Sequence, residues 1–134
     1  MSNHVWQDYI DVSLIGSGHI AQAAIISCDG KSIWANSKGF ELSANERKVL
    51  SDVLKGNDEA RDKAYEHGIT FNEKKYVLTR VEDRSMYARM NKDGVVASAT
   101  KQTIIIGTHL GTQIAGNASA TVESLADYLI GQGY

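Results

Sequence analysis

Hydrophobic and polar positions follow a helical period at both ends of this chain and a strand-like period between them. Over residues 3–15, apolar positions recur on one helix face, and a Gly-Ser-Gly stretch at 16–18 ends the helix. A second helix over residues 117–131 carries an apolar stripe of Val122, Leu125, Ala126 and Leu129. The apolar side of the first helix is wider than one sheet contact needs, since it gathers Val5, Trp6, Tyr9, Ile10, Val12, Ser13 and Leu14.

The segments between these helices predict strands and two short helices. Apolar runs at 23–26 and 32–35 flank an Asp29-Gly30 pair, which favours a β-hairpin. Ser43 and Glu46 have capping-box spacing and predict a helix to about residue 55, and a second short helix over 57–66 ends near Gly68. Four apolar runs follow at 76–78, 85–88, 95–97 and 104–106, divided by polar turns, a pattern typical of an antiparallel meander.

This order of elements predicts an α+β fold, in which a central antiparallel β-sheet is covered by helices on both faces. The 134 residues suit a single domain over 1–134. A net charge of −2 gives no reason to expect a nucleic-acid partner, which needs a basic face. No window reaches the ~18 apolar residues of a membrane helix, and the first residues lack the features of a signal peptide, so we expect a cytoplasmic protein.

Catalytic chemistry has little support in the sequence. The four histidines (His4, His19, His67 and His109) show no metal-ligand spacing, and the single cysteine, Cys28, is expected to be a buried structural thiol. The Gly-Ser-Gly stretch lacks the third glycine of a dinucleotide loop and follows a helix instead of a strand. We therefore expect no enzyme activity, no cofactor and no metal.

The aromatic residues are concentrated on the two terminal segments. Trp6 and Tyr9 lie on the first, Tyr128 and Tyr134 on the last, and Trp34 on the second apolar run. Such rings are ordinarily core residues. If the two terminal helices lie side by side, however, the rings form an exposed groove of the kind that binds proline-rich segments, because pyrrolidine rings stack on aromatics while ring N–H and O–H groups bind peptide carbonyls.

The same residues carry a family resemblance. The opening Trp6-Gln7-Asp8-Tyr9-Ile10-Asp11, the strand Ser32-Ile33-Trp34-Ala35, the run Ile104-Ile105-Ile106-Gly107 and the ending from Val122 to Tyr134 resemble the corresponding motifs of profilins, in the same order. The resemblance implies a central sheet with the terminal helices on one face and the short helices on the other. It also implies a cytoskeletal protein that binds monomeric actin, regulates its polymerisation and nucleotide exchange, and holds proline-rich segments of formins and similar assembly factors.

Site residues follow from the resemblance position by position. The proline-binding groove falls on Trp6, Tyr9, Trp34, Tyr128, Leu129 and Tyr134, and the actin-binding positions are Lys75, Leu78, Arg80 and Arg89. Weak, salt-sensitive binding of phosphoinositides is expected at Lys75, Arg80, Arg89, Lys92 and Lys101. Lysines that relatives often carry are replaced by Ala99 and Ser124, and an asparagine by Ala120, which implies weaker actin binding.

Two other classes of protein share this order of elements. A PAS-like sensor would enclose a small-molecule cavity among its strands, and a GTPase-adaptor domain would use a similar sheet for docking. Neither explains aromatic residues at both chain ends. A ligand cavity within the sheet favours the sensor, whereas a solvent-exposed Trp6 beside Tyr134 favours the profilin interpretation.

Overall fold

A seven-stranded antiparallel sheet forms the centre of the computed structural model, which describes residues 4–134. The strands run in the spatial order β2-β1-β7-β6-β5-β4-β3. Their bounds are β1 Gln22–Ser27, β2 Ile33–Asn36, β3 Ile69–Phe71, β4 Lys74–Glu82, β5 Ser85–Met90, β6 Asp93–Ala99 and β7 Thr103–His109. The predicted hairpin and meander are confirmed, and the short β3 is a strand that the sequence pattern did not separate from its surroundings.

The N-terminal helical segment differs from a regular α-helix. Helix α1 (His4–Asp8) continues as a π-helix over Tyr9–Leu14 and a 3-10 turn over Ile15–Ser17. The Ile15 N–H donates to the carbonyl of Ile10, five residues back, as in a π-helix. The apolar side is wider than its contact with the sheet, as predicted, because Val5 and Val12 at its margins stay exposed. Gly18 ends the segment in the left-handed conformation that the Gly-Ser-Gly stretch predicted. Residue 3 lies outside the described residues.

Two short helices, α2 (Ala44–Leu54) and α3 (Asp58–His67), follow the first hairpin. The capping box is present, since Ser43 Oγ accepts from the Glu46 N–H and Glu46 accepts from the Ser43 N–H. The buried Glu46 carboxylate also accepts from the N–H groups of Asn72 and Glu73, both of which have positive φ. One carboxylate thus joins the start of α2 to the turn between β3 and β4.

The helices cover the two faces of the sheet as predicted. Helix α4 (Ala115–Gly131) packs on β6 and β7, and the N-terminal helical segment packs on β1 and β2 of the same face. Helices α2 and α3 pack on β3 and β4 from the other face, where Phe40, Leu50 and Phe71 belong to a separate core cluster. On the face of the terminal helices, β4 and β5 extend beyond α4, and this uncovered part of the sheet leaves Val77 65% exposed.

Candidate functional site

Five aromatic side chains meet where the two terminal helical segments lie side by side. The ring centroid of Trp6 is 4.8 Å from Trp34, 5.1 Å from Tyr134 and 5.6 Å from Tyr9, all in edge-on arrangements. Tyr9 in turn lies 6.2 Å from Tyr128 across the gap between the helices. These residues, Trp6, Tyr9, Trp34, Tyr128 and Tyr134, are the aromatic cluster.

The cluster is less exposed than the sequence indicated. Trp6 is only 5% exposed, so the expectation of a solvent-exposed Trp6 is wrong, although the ring does lie beside Tyr134. Leu129, also predicted in the groove, is fully buried beneath it. Tyr128 is 52% exposed, and Tyr9, Trp34 and Tyr134 are half-buried. The accessible surface of the cluster is therefore formed by these four rings, with Trp6 as the ring that supports them.

Polar groups fix the edges of the cluster. The backbone carbonyl of Tyr134 accepts from the Gln102 N–H at 2.6 Å and from Thr100 Oγ1 at 2.9 Å, which ties the last residue to the β6–β7 turn. Burial, reinforced by the neighbouring Tyr128, raises the pKa of Tyr9. Its hydroxyl thus stays protonated and able to donate a hydrogen bond over the whole neutral range.

A groove of about 640 Å³ continues from the cluster between the N-terminal helical segment and α4. Its lining residues are Tyr9, Ser13, Ala120, Thr121, Ser124, Leu125 and Tyr128. Ser124 and Ala120 therefore lie between the helices. Ala99, by contrast, packs against the core of the α2 and α3 face. The structure does not place either replaced lysine position, 99 or 124, on the uncovered sheet surface.

The uncovered part of β4 and β5 forms a second surface, which we call the basic sheet surface. It carries the exposed side chains of Lys75, Val77, Arg80 and Arg89, and Val77 pairs directly with Arg89. The Arg80 guanidinium lies 4.2 Å from the ring centroid of Tyr87, a cation–π contact. Val77 was not predicted as a surface residue, because one exposed valine within a strand leaves no signal in the sequence.

Helix α4 borders this surface with acidic groups. The Tyr87 hydroxyl donates to Glu123 Oε1 at 2.6 Å, and Arg84 pairs with Asp127. Burial and the bond to Glu123 raise the pKa of Tyr87. Its phenol therefore remains a donor to the carboxylate, and the link fixes α4 against β5.

A row of paired residues crosses the sheet from Arg89 to His109. Arg89 pairs with Gly94, and Gly94 pairs with His109. A Cβ at Gly94 would clash with the His109 ring, so the missing side chain is what lets the imidazole lie over β6. From the sequence, His109 was noted only as a histidine without metal-ligand spacing.

Two predicted positions on these strands need correction. Leu78 is 4% exposed and packs in the core of the opposite face, so it does not belong to the basic sheet surface. A β-bulge between Leu78 and Arg80 is the reason: Leu78 pairs with Ala88, while Arg80 pairs with Tyr87 on the other face. Lys101 lies in the β6–β7 turn, at the opposite end of β6 from Lys92, so the five lysines and arginines do not form one patch.

Other candidate chemistry is limited to single residues. Cys28 is half-buried in the β1–β2 turn and is not the fully buried thiol expected. Within residues 4–134, no three His, Cys, Asp or Glu side chains are grouped so that they could hold a metal ion. In the same part of the chain, no helix has the length and apolar character needed to cross a membrane.

Comparison with known proteins identifies the family. The profilin family model matches residues 4–134. The chain is 40% identical to a profilin of Schizosaccharomyces pombe over 129 residues, covering 96% of this chain and 98% of that protein. It is 41% identical to a profilin of Saccharomyces cerevisiae, with the same coverage. The chain belongs to the profilin family of actin-binding proteins, and the sensor and adaptor alternatives lose their support.

Solved structures agree with the fold. Crystalline S. pombe profilin matches with a TM-score of 0.89 at 40% identity, covering 96% of this chain and 99% of that one. Mouse profilin IIa, in complex with a double repeat from the FH1 domain of mDia1, matches with a TM-score of 0.79. Its identity of 24%, over 96% of this chain and 99% of that chain, is evidence of a shared fold.

Proposed function

We propose that this protein binds monomeric actin through the basic sheet surface and proline-rich segments through the aromatic cluster, and so regulates actin polymerisation and nucleotide exchange in the cytoplasm. The observation that carries the proposal is the separation of two different surfaces on one face of the sheet. Five strand spacings separate β2, which holds Trp34, from β4, which holds Arg80. At about 4.8 Å per strand this is about 24 Å, so both partners have room to bind at once.

The chemistry of the aromatic cluster supports a proline-rich ligand. A polyproline II helix has unpaired carbonyls and flat pyrrolidine rings, which suit aromatic faces bearing O–H and N–H donors. At about 3.1 Å per residue, about two ligand residues span the 6.2 Å between the ring centroids of Tyr9 and Tyr128. The mouse protein of this fold is in complex with a double repeat from an FH1 domain, and the proposal for this chain rests on its own rings.

The basic sheet surface supports a protein partner with acidic groups. Lys75, Arg80 and Arg89 supply positive charge around the apolar Val77, and such charges steer encounter while an apolar centre gives contact area. Leu78 contributes only as a core residue beneath this surface.

Phosphoinositide binding is a separate part of the proposal and rests on fewer residues than the sequence predicted. Lys75, Arg80, Arg89 and Lys92 remain as its candidates, whereas Lys101 lies too far along the sheet to join them. Glu82 lies 2.9 Å from Arg80 and competes for its charge. We therefore expect weak lipid binding that disappears as salt is raised.

Two separate titrations test the proposal, one with monomeric actin and one with a proline decamer, followed by the decamer added to the actin complex. We expect binding in both and a decamer affinity that changes little in the presence of actin. Failure to bind actin would refute the role of the sheet surface, and failure to bind the decamer would refute that of the aromatic cluster. Strict competition between them would contradict the separation of the two surfaces.

A further inference from the structure

The imidazole of His109 lies between β7 and the basic sheet surface. Arg89, Gly94 and His109 are paired across β5, β6 and β7, so their side chains leave the same face of the sheet. Two strand spacings, about 10 Å, separate β5 from β7. A Cβ at Gly94 would clash with Nε2, Cε1 and Cδ2 of the ring, so the ring covers the space above β6. The imidazole therefore extends the basic sheet surface from β5 towards β7.

The two nitrogens of the His109 ring have different surroundings. Nδ1 is buried and has no hydrogen-bond partner within residues 4–134. Nε2 is the ring atom nearest to the Gly94 position, and the residue as a whole is only half-buried. A buried N–H without an acceptor is avoided more strictly in proteins than an unpaired acceptor. We therefore assign the single proton of the neutral ring to Nε2, which makes this atom a hydrogen-bond donor on the sheet surface.

A positive charge on the ring changes this arrangement, because both nitrogens of an imidazolium are donors. The second proton has to go to Nδ1, which lacks an acceptor among the described residues. Arg89 on the paired strands and Lys92 in the β5–β6 turn are also positive. A charged ring in this place leaves a buried donor unpaired close to two other cations, which is costly. Because His109 is half-buried and is the last residue of β7, its ring can turn out into solvent instead.

Asp93 is the nearest acidic residue in sequence to Gly94, and it does not supply the missing acceptor. Successive residues of a strand point to opposite faces of the sheet. Asp93 Oδ1 accepts from the Gly111 N–H at 2.8 Å. Burial and, after it, the charge of Asp93 raise the pKa of Tyr76, which belongs to the core cluster of the opposite face. The carboxylate is thus engaged away from the imidazole.

The other elements around His109 bring no acidic partner to it. Strand β1, which pairs with β7, has no titratable side chain, and neither do residues 110–122, which lead from β7 into α4. The first titratable residue of α4 is Glu123, whose carboxylate accepts from the Tyr87 hydroxyl. His19, which precedes β1, can add only positive charge.

We propose that the neutral His109 ring donates a hydrogen bond from Nε2 to the partner of the basic sheet surface, and that protonation turns the ring away and weakens binding. The inference rests on the proposed binding of actin at that surface. Its sign is opposite to that of simple charge attraction, because an additional positive charge would strengthen the binding of an acidic partner. Acidification through the range in which histidine ordinarily titrates, about pH 8 to 5, therefore reduces the affinity for actin.

Actin titrations at about pH 7.5 and about pH 6 test this inference. His109→Gln keeps an N–H donor but does not titrate. Dividing the affinity of the unaltered protein by that of His109→Gln at each pH removes the contribution of actin's own groups. We expect this ratio to fall about fivefold on acidification, which corresponds to the loss of one hydrogen bond. The matched control is His67→Gln, since His67 is exposed on α3, and this variant should keep the full pH dependence.

A second variant and a spectroscopic measurement follow the position of the ring. Gly94→Ala should displace the ring at every pH, because its Cβ takes the place of Nε2, and Gly94 does not have the positive φ that excludes alanine. Its affinity at about pH 7.5 should therefore already be reduced about fivefold and change little on acidification. In the free protein, the ring shifts the NMR resonances of the Gly94 Hα protons. We expect these resonances to move as the His109 ring titrates.

The outcomes distinguish this inference from the function on which it rests. A constant affinity ratio would overturn the inference, and a ratio that rises on acidification would show that the charged ring stays in place and attracts actin. Titration of His109 with unmoved Gly94 resonances would likewise overturn the displacement. Absence of actin binding at both pH values would refute the proposed function and the contact with it, while the Gly94 resonances would still decide whether the ring leaves.

Discussion

Replacing Trp6 by alanine tests whether this ring supports the binding surface from beneath or contacts the ligand itself. Trp6 is almost fully buried and touches the rings of Trp34, Tyr134 and Tyr9. Removal of a buried tryptophan side chain costs about 3–5 kcal/mol, a range that includes the lost edge-to-face contacts. We expect the free energy of unfolding of Trp6→Ala to fall by that amount, measured by urea denaturation followed by circular dichroism.

The affinity for proline peptides should fall as well, but indirectly. Without Trp6, the rings of Trp34 and Tyr134 lose their common support, and we expect a loss on the order of 2 kcal/mol, which is about thirtyfold. Tyr128→Ala is the matched comparison, because its ring is half exposed and its only aromatic contact in the described residues is with Tyr9. That variant should lose similar peptide affinity and less than about 1 kcal/mol of stability.

The loss of unfolding free energy, compared with the loss of peptide affinity, shows which role Trp6 has. If Trp6→Ala lost less than about 1 kcal/mol of stability while peptide binding disappeared, Trp6 would be an exposed contact residue and the burial argument would be wrong. If stability fell and peptide affinity stayed unchanged, Trp6 would not support the binding surface at all.

Three further predictions follow from single contacts. Arg89→Glu should slow association with actin, most strongly at low salt, and leave the binding of proline peptides unchanged. The control Lys55→Glu, on the α2–α3 side, should change neither. Stopped-flow association at two salt concentrations checks this, and equal slowing in both variants would argue against the basic sheet surface. Glu46→Ala should lower the free energy of unfolding by about 3–5 kcal/mol, because three backbone N–H groups lose a buried carboxylate; a loss below about 1 kcal/mol in urea denaturation would contradict this. Burial raises the pKa of Tyr9, Tyr76 and Tyr87, so the unfolded chain loses these protons first and stability should fall as pH rises above about 10; a flat profile there in thermal melts would contradict the raised pKa values.

The sequence predicted those parts of the fold whose signals are local. The capping box at Ser43, the hairpin turn at Asp29-Gly30 and the apolar stripe of α4 each depend on neighbouring residues, and each is confirmed. The type of the N-terminal helical segment was not predictable in this way, since a π-helix and an α-helix place Trp6, Ile10 and Leu14 on one side alike.

The candidate site likewise has residues that local motifs locate and contacts that only the folded chain creates. Family motifs located the aromatic residues, and the structure brings them together, but the burial of Trp6 depends on rings from three distant segments. Leu78 was assigned beside Arg80 from the family resemblance, and the bulge that puts the two side chains on opposite faces is set by pairing with β5. His109 could not be found from its own neighbours, because the space for its ring is created by Gly94 on another strand.

The arrangement of the helices has a practical consequence for experiments on living cells. Both proposed surfaces lie on the face of the terminal helices, so the side formed by α2 and α3 carries neither. The α2–α3 connection, with Lys55 and Gly56 exposed at its tip, is therefore the natural attachment point for a fluorophore or an inserted tag. A reporter placed there can follow the protein while both binding surfaces stay free, whereas one joined at either terminal helix would lie next to the aromatic cluster.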